Sequence, residues 1–199
     1  MISKCSAKVV SYLVENRIIK ADDQEIYLFG FTSILIHIIH VVCMIVIGMM
    51  LRRTVEAAEM IIVYSAIRTT AGGQHFQNKK LCFMTSCFLV LFLVGPLNLF
   101  PIKVLMIYAE VMLFPSVVLI YWLAPCDNIK KRMNGEEKIK YKTQTRMLLL
   151  IFIIVAIFGF YMHLVVSYII SVCMFAEAIG LIWGTAQNKC LERGKSNNN

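Results

Sequence analysis

Residues 68–82 read Arg-Thr-Thr-Ala-Gly-Gly-Gln-His-Phe-Gln-Asn-Lys-Lys-Leu-Cys, so that a histidine and a cysteine bracket a polar segment. A thiolate is a nucleophile where a thiol is not, and a neighbouring imidazole is the usual base that generates one. On one straight helix His75 and Cys82 would stand about 10.5 Å apart along the axis, at about 1.5 Å per residue. Proton transfer needs about 3 Å, so the chemistry requires a broken chain between them. Gly72-Gly73 before His75 and Asn78, a candidate N-cap, supply the breaks. With Asn78 as cap, Cys82 falls in the first turn of the following helix, beside Lys79 and Lys80 and the positive end of the helix dipole. That setting favours an anionic sulfur. The alternative is a buried thiol beside an ordinary loop histidine.

Other reactive side chains form weaker patterns. His37 and His40 stand at helical i, i+3 spacing with no carboxylate or third ligand nearby, so interhelical hydrogen bonding is expected of them in place of metal or haem binding. Cys43, Cys87 and Cys173 lie inside apolar runs and read as small core residues. Glu56 and Glu59 could orient His75 as the acid of a triad does, but pairing with Arg52, Arg53 or Arg68 is preferred. Glu110 and Glu177 are carboxylates within apolar runs, which marks them as functional without assigning a role. The seven cysteines include no Cys-x-x-Cys pair, so neither a disulfide framework nor a zinc site is expected.

The elements that must position these residues are membrane helices. Of the 199 residues, 59% are hydrophobic and 16% charged, at a mean hydropathy of +0.71. Soluble domains run at roughly 45–50% apolar and about 25% charged, and here the apolar residues come in runs too long for one globular core. A soluble enzyme, a disordered chain and a nucleic-acid-binding domain are thereby excluded, despite the net charge of +8. Residues 1–27 show no cleavable signal peptide; residues 3–20 read as an amphipathic helix on the membrane surface or a solvated lead-in helix. Leu28–Leu51 is a full span without formal charge. Thr54–Ile67 is short and interrupted by Glu56 and Glu59, so it either crosses inside a bundle or re-enters. Leu81–Phe100 and Ile102–Ala124 form a hairpin punctuated by Gly95, Pro96, Asn98 and Pro101. Pro125–Arg146 is expected to be a basic loop, and Met147–Ala186 a second hairpin turning near Gly159–His163.

The expected fold is therefore all-α and polytopic, with about six transmembrane helices after an N-terminal amphipathic helix. Its parts are a cytoplasmic segment at 1–27, a membrane domain at 28–186 and a cytoplasmic tail at 187–199. With six spans and the N-terminus inside, 17 of the 20 Lys and Arg residues face the cytoplasm, as the positive-inside rule favours. If Thr54–Ile67 fails to cross, everything after it inverts and the bias falls.

On these residues the chain resembles the accessory gene regulator B (AgrB) family of membrane cysteine endopeptidases from Gram-positive bacteria. The match rests on Arg68, the Gly72-Gly73 pair, His75 two residues after Gly73, and Cys82 seven after His75. Leu-Ala-Pro-Cys-Asp-Asn at 123–128, followed by basic residues, resembles the family's Ala-Pro-x-Asp motif, although no proline follows Pro125. The resemblance implies Cys82 as nucleophile, His75 as general base, and Arg68, Gly72 and Gly73 as supporting positions. It implies that an AgrD-like precursor peptide loses its C-terminal part and is closed into a thiolactone or lactone signal for quorum sensing. The implied partners are that peptide and the bilayer, with no nucleic acid, cofactor or metal, and with room for a homodimer. Lys138, Lys140 and Lys142 are candidate contacts for an acidic part of the peptide. A transporter or sensor scaffold, and an acyltransferase carrying its acyl group on Cys82, are the rival readings.

Overall fold

The computed structural model describes residues 2–16, 18–72, 79–126 and 133–196, with backbone alone at 2–5, 21, 79, 80 and 191–196. Its helices are α1 (Ile2–Glu15), α2 (Gln24–Met50), α3 (Thr54–Ala71), α4 (Lys79–Val94), a single turn α5 (Pro96–Leu99), α6 (Ile102–Leu123), α7 (Gly135–Tyr161) and α8 (Val165–Ser196), with a 3-10 turn at Ala21–Asp23. No strand occurs among the described residues; one isolated bridge pairs Gly72 with Cys126. The all-α polytopic expectation holds. Among the described residues five spans are long and apolar enough to cross a bilayer: α2, α4 continued through α5, α6, α7 and α8. The sixth expected span, α3, carries Glu56, Glu59 and Arg68 in 18 residues and is both more charged and less apolar than these five.

Contacts at its two ends nevertheless show α3 traversing the bundle. At one end the α2–α3 turn is tied to the α5 turn. Arg53 donates from Nε to Asn98 Oδ1 at 2.9 Å and from Nη2 to the Leu97 carbonyl at 3.1 Å, while Asn98 Nδ2 donates to the Leu51 carbonyl at 2.8 Å. At the other end Ala71 accepts a hydrogen bond from the Cys126 N–H, just beyond α6, at 2.9 Å. Eighteen residues give a rise of about 27 Å, close to the ~30 Å hydrocarbon core. Glu56 is neutralised locally by Arg53 at 2.9 Å, the pairing preferred from sequence.

Two long turns use the same device. At the end of α2, Arg53 N–H bonds to the Gly48 carbonyl and Arg52 N–H to Met49; at the end of α7, Leu164 N–H bonds to Gly159 and His163 N–H to Phe160. Both are Schellman motifs, with Arg52 (φ 56°) and His163 (φ 54°) in the left-handed position that glycine usually fills. The second turn lies where the sequence places the hairpin.

The expected loop at 125–146 is corrected: from Gly135 it is the first three turns of α7. Asn134 caps that helix, and its backbone N–H donates to Glu137 Oε2 at 3.1 Å in a reciprocal capping box. Lys138, Lys140 and Lys142 are thus exposed helical residues, and the Arg146 guanidinium lies 4.2 Å from the Tyr121 ring centroid. The N-terminal helix is shorter than the 3–20 stretch suggested. It ends at Glu15, buries Ser6 and Val10, and packs on α2.

α8 is the central helix. It packs against α3, α4, α6 and α7, and 61% of its apolar window is buried, against 11–28% for the other spans. Ala57, Met60, Val63, Ile67 and Ala71 present one buried face of α3, at spacings of three and four residues. Phe29, Phe114, Trp122 and Ile154 point outward, as lipid-facing residues do.

Candidate active site

Cys82 is the fourth residue of α4, in its first turn as the spacing predicts. Asn78, the candidate cap, lies outside the described residues, as do His75 and Gly73. Cys82 is half-buried and borders a cavity of about 300 Å³ enclosed by α2, α3 and α4. Arg68 and Thr69 near the end of α3, and His37 and His40 on α2, border the same space, with Tyr64, Ser65, Thr85 and Ser86. Met44, Met60, Ile61 and Leu89 form its apolar wall.

Three of the five hydroxyls bordering this cavity, those of Thr69, Thr85 and Ser86 but not of Tyr64 and Ser65, are committed to their own helices. Thr69 Oγ1 donates to the Ala66 carbonyl at 2.9 Å, Thr85 Oγ1 to Leu81 at 2.8 Å and Ser86 Oγ to Cys82 at 3.0 Å. A hydroxyl has one proton to give, so these three donate nothing more to a bound molecule. Arg68 differs: a guanidinium carries five N–H groups. Its Nη1 lies 3.4 Å from Glu177 Oε2 on α8, and its side chain remains about a quarter exposed, toward the cavity. The sequence offered Glu56 or Glu59 as partners for Arg68; the partner found is Glu177, 109 positions away.

Gly72 closes α3. Its φ of +77° and ψ of −138° belong to a region essentially reserved for glycine, and a Cβ there would stand 2.5 Å from the Cys126 carbonyl oxygen. The Ala-Pro-Cys stretch after α6 is therefore docked backbone to backbone on Ala71 and Gly72 at the end of α3. Cys126 is buried, with its sulfur 3.7 Å from Thr185 Oγ1 and from Asn188 Nδ2 of α8. Nothing in the sequence singles out Cys126 for this contact within the Leu-Ala-Pro-Cys-Asp-Asn stretch.

The structure thus brings Cys82 and Arg68 to one cavity, sets Gly72 one residue beyond α3, and leaves Lys138, Lys140 and Lys142 outside the cavity lining. His40 meets α4 through a ring contact with Phe83, centroids 5.1 Å apart. Cys173 is fully buried and Cys43 and Cys87 half-buried, in keeping with packing roles. Glu110 is exposed on α6. Among the described residues no group of three or more His, Cys, Asp or Glu side chains could hold a metal.

Comparison with curated proteins and with solved structures returns no match. The family model Accessory gene regulator B matches residues 6–181, which takes in α2 to α7, most of α8 and every candidate site residue. This chain belongs to the accessory gene regulator B family, known for autoinducer peptide processing.

Proposed function

We propose that this protein is a cysteine endopeptidase of the cell membrane that removes the C-terminal part of an AgrD-like precursor and promotes closure of the remainder into a thiolactone or lactone. The observation that carries the reading is the cavity: Cys82, in the first turn of α4, shares a space between α2, α3 and α4 with the Arg68 guanidinium. The Cys82 thiolate adds to a backbone carbonyl carbon, forming a C–S bond while the carbonyl π pair moves to oxygen. Collapse of that adduct breaks the C–N bond. His75, protonated when it took the thiol proton, returns a proton to the leaving amine. The thioester left on Cys82 is then attacked by a Cys or Ser side chain of the same peptide, which regenerates the thiolate. Exchange of one thioester for another is near balance whereas hydrolysis runs downhill. The apolar wall of Met44, Met60, Ile61 and Leu89 therefore serves the cyclising outcome by excluding water.

In this reading both termini, the 73–78 segment and the start of α7 lie in the cytoplasm, and the Arg53–Asn98 latch lies outside. Gly73, with Arg68 and Gly72, is a supporting position. Lys138, Lys140 and Lys142 draw in an acidic part of the precursor, and a homodimer is compatible with the free outer faces of α6 and α7. The test is reconstitution in liposomes with synthetic precursor, read by mass spectrometry. Cys82→Ala removes both cleavage and the acyl-enzyme; Cys87→Ala, one turn deeper in α4, keeps them. Full cleavage by Cys82→Ala, or a fatty acyl group on Cys82 in place of a peptide, ends the reading.

A further inference from the structure

A carboxylate placed inside a membrane bundle needs a reason, because burying a charge costs more than an ion pair ordinarily returns. Glu177 has no solvent exposure, and its Oε1 has no hydrogen-bond partner among the described residues. Its other oxygen holds Arg68 Nη1 at 3.4 Å, longer than the 2.7–2.9 Å of a closed charge-assisted bond. The guanidinium is therefore kept at the cavity edge and not drawn fully against α8. Gly180, one turn beyond Glu177, sits directly under it: a Cβ at 180 would come within 3.1 Å of Nη1. Carboxylate and missing side chain together shape one seat for one cation.

That cation faces a space in which the Thr69, Thr85 and Ser86 hydroxyls are already bonded to their helices. Addition of a thiolate to an amide puts a full negative charge on the carbonyl oxygen, which must be met by donors fixed in advance. We propose that Glu177 and Gly180 are positioning residues that seat Arg68 as the donor to that oxygen. The proposal rests on the peptidase reading and names a role for α8 within it. Arg68 keeps its proton throughout; it hydrogen-bonds the oxygen as the C–S bond forms and the C–N bond breaks.

The test pairs two reactions of Cys82 in the full-length protein in liposomes. Cleavage of synthetic precursor passes through the oxyanion; alkylation by iodoacetamide is displacement at a saturated carbon and forms none. Glu177→Gln is expected to lower kcat between about tenfold and the ~10²–10³ loss that removal of an oxyanion donor causes, with KM changed less than threefold, and Gly180→Ala, which displaces Nη1 only slightly, to lower kcat by a smaller factor. The alkylation rate should stay within about threefold, since the thiol and its access are untouched. Glu177→Asp should recover part of kcat. If Glu177 merely neutralises a buried cation, Arg68→Gln/Glu177→Gln, which buries no charge, regains activity. Under the proposal it stays as low as Arg68→Gln alone. Equal loss of cleavage and alkylation, or recovery in the double variant, overturns the assignment, and the double variant decides even where Glu177→Gln fails to fold. Unimpaired kcat in Glu177→Gln sinks this inference alone, whereas cleavage by Cys82→Ala sinks the peptidase reading itself.

Discussion

Replacing Gly72 by alanine should open the joint between α3 and the segment after α6, and the effect can be sized. A non-glycine residue held at φ +77°, ψ −138° costs about 1–3 kcal/mol. The new Cβ, 2.5 Å from the Cys126 carbonyl oxygen, forces the two backbones apart. That separation gives up the Cys126 N–H bond to the Ala71 carbonyl, worth about 0.5–1.5 kcal/mol. The closed joint thus loses about 1.5–4.5 kcal/mol, a factor of roughly 10 to 10³ in the open population at about 1.4 kcal/mol per tenfold. Cys126 reports on that population because it is 8% exposed when the joint is closed. In a protein retaining Cys126 as its one cysteine, maleimide labelling in liposomes should accelerate by that factor in Gly72→Ala. Gly30→Ala, where no atom lies within 4 Å of the added Cβ, is the matched control and should leave the rate unchanged. A Gly72→Ala protein labelled no faster than its parent would refute the argument that glycine is required by this contact.

His163→Gly should raise thermal stability in detergent by about 1 kcal/mol, because it relieves a left-handed residue at the α7 C-terminus; an unchanged melting temperature counts against that reading. Arg53→Gln should cost about 1–3 kcal/mol through loss of its bonds to Glu56, Asn98 and Leu97, while Arg52→Gln, exposed at the same turn, should cost under about 0.5 kcal/mol. Equal losses would show that the latch does not hold the two turns together. Replacing Lys138, Lys140 and Lys142 by Gln should slow cleavage of an acidic-tailed precursor more than of one with a neutralised tail, at fixed lipid composition; equal slowing discards steering. In a background without native cysteines, Leu99→Cys should react with an impermeant reagent added outside intact cells and Gly135→Cys should not; the reverse pattern would invert the topology.

What sequence could reveal divides along the range of the interaction. The α7 start is legible, since Asn134 with Glu137 three residues later is a capping box, but the dense run of lysines around it has the polarity of a loop. The Arg53–Glu56 pair is one helical turn long and was foreseen. The Arg68–Glu177 pair joins residues 109 positions apart, and nothing local in either segment names the other. Likewise the Gly-Gly pair signalled a chain break, but not that Gly72 would lie against a backbone 54 positions on. Charge and hydropathy fix the spans because lipid is a uniform solvent that judges each segment by itself. Which spans meet is decided by a few polar ties that hydropathy does not register.

Those ties give α8 an importance its apolar sequence hides. Between helices already in lipid there is little hydrophobic drive to associate, so close packing and polar contacts choose the neighbours. α8 meets α4 through the Tyr168 hydroxyl on the Leu93 carbonyl at 3.0 Å, α3 through Glu177 on Arg68, and the stretch after α6 through Thr185 and Asn188 on Cys126. Arg68 and Gly72 come from the end of α3, which packs extensively on α8, whereas Cys82 comes from the start of α4, which packs chiefly on α2 and is tied to α8 near its other end by the Tyr168–Leu93 bond. The Arg68 side of the cavity is therefore set from behind, by a helix on which the sequence marks Glu177 as functional without assigning it a role. Substitutions along its buried face should disturb the site without touching the peptide.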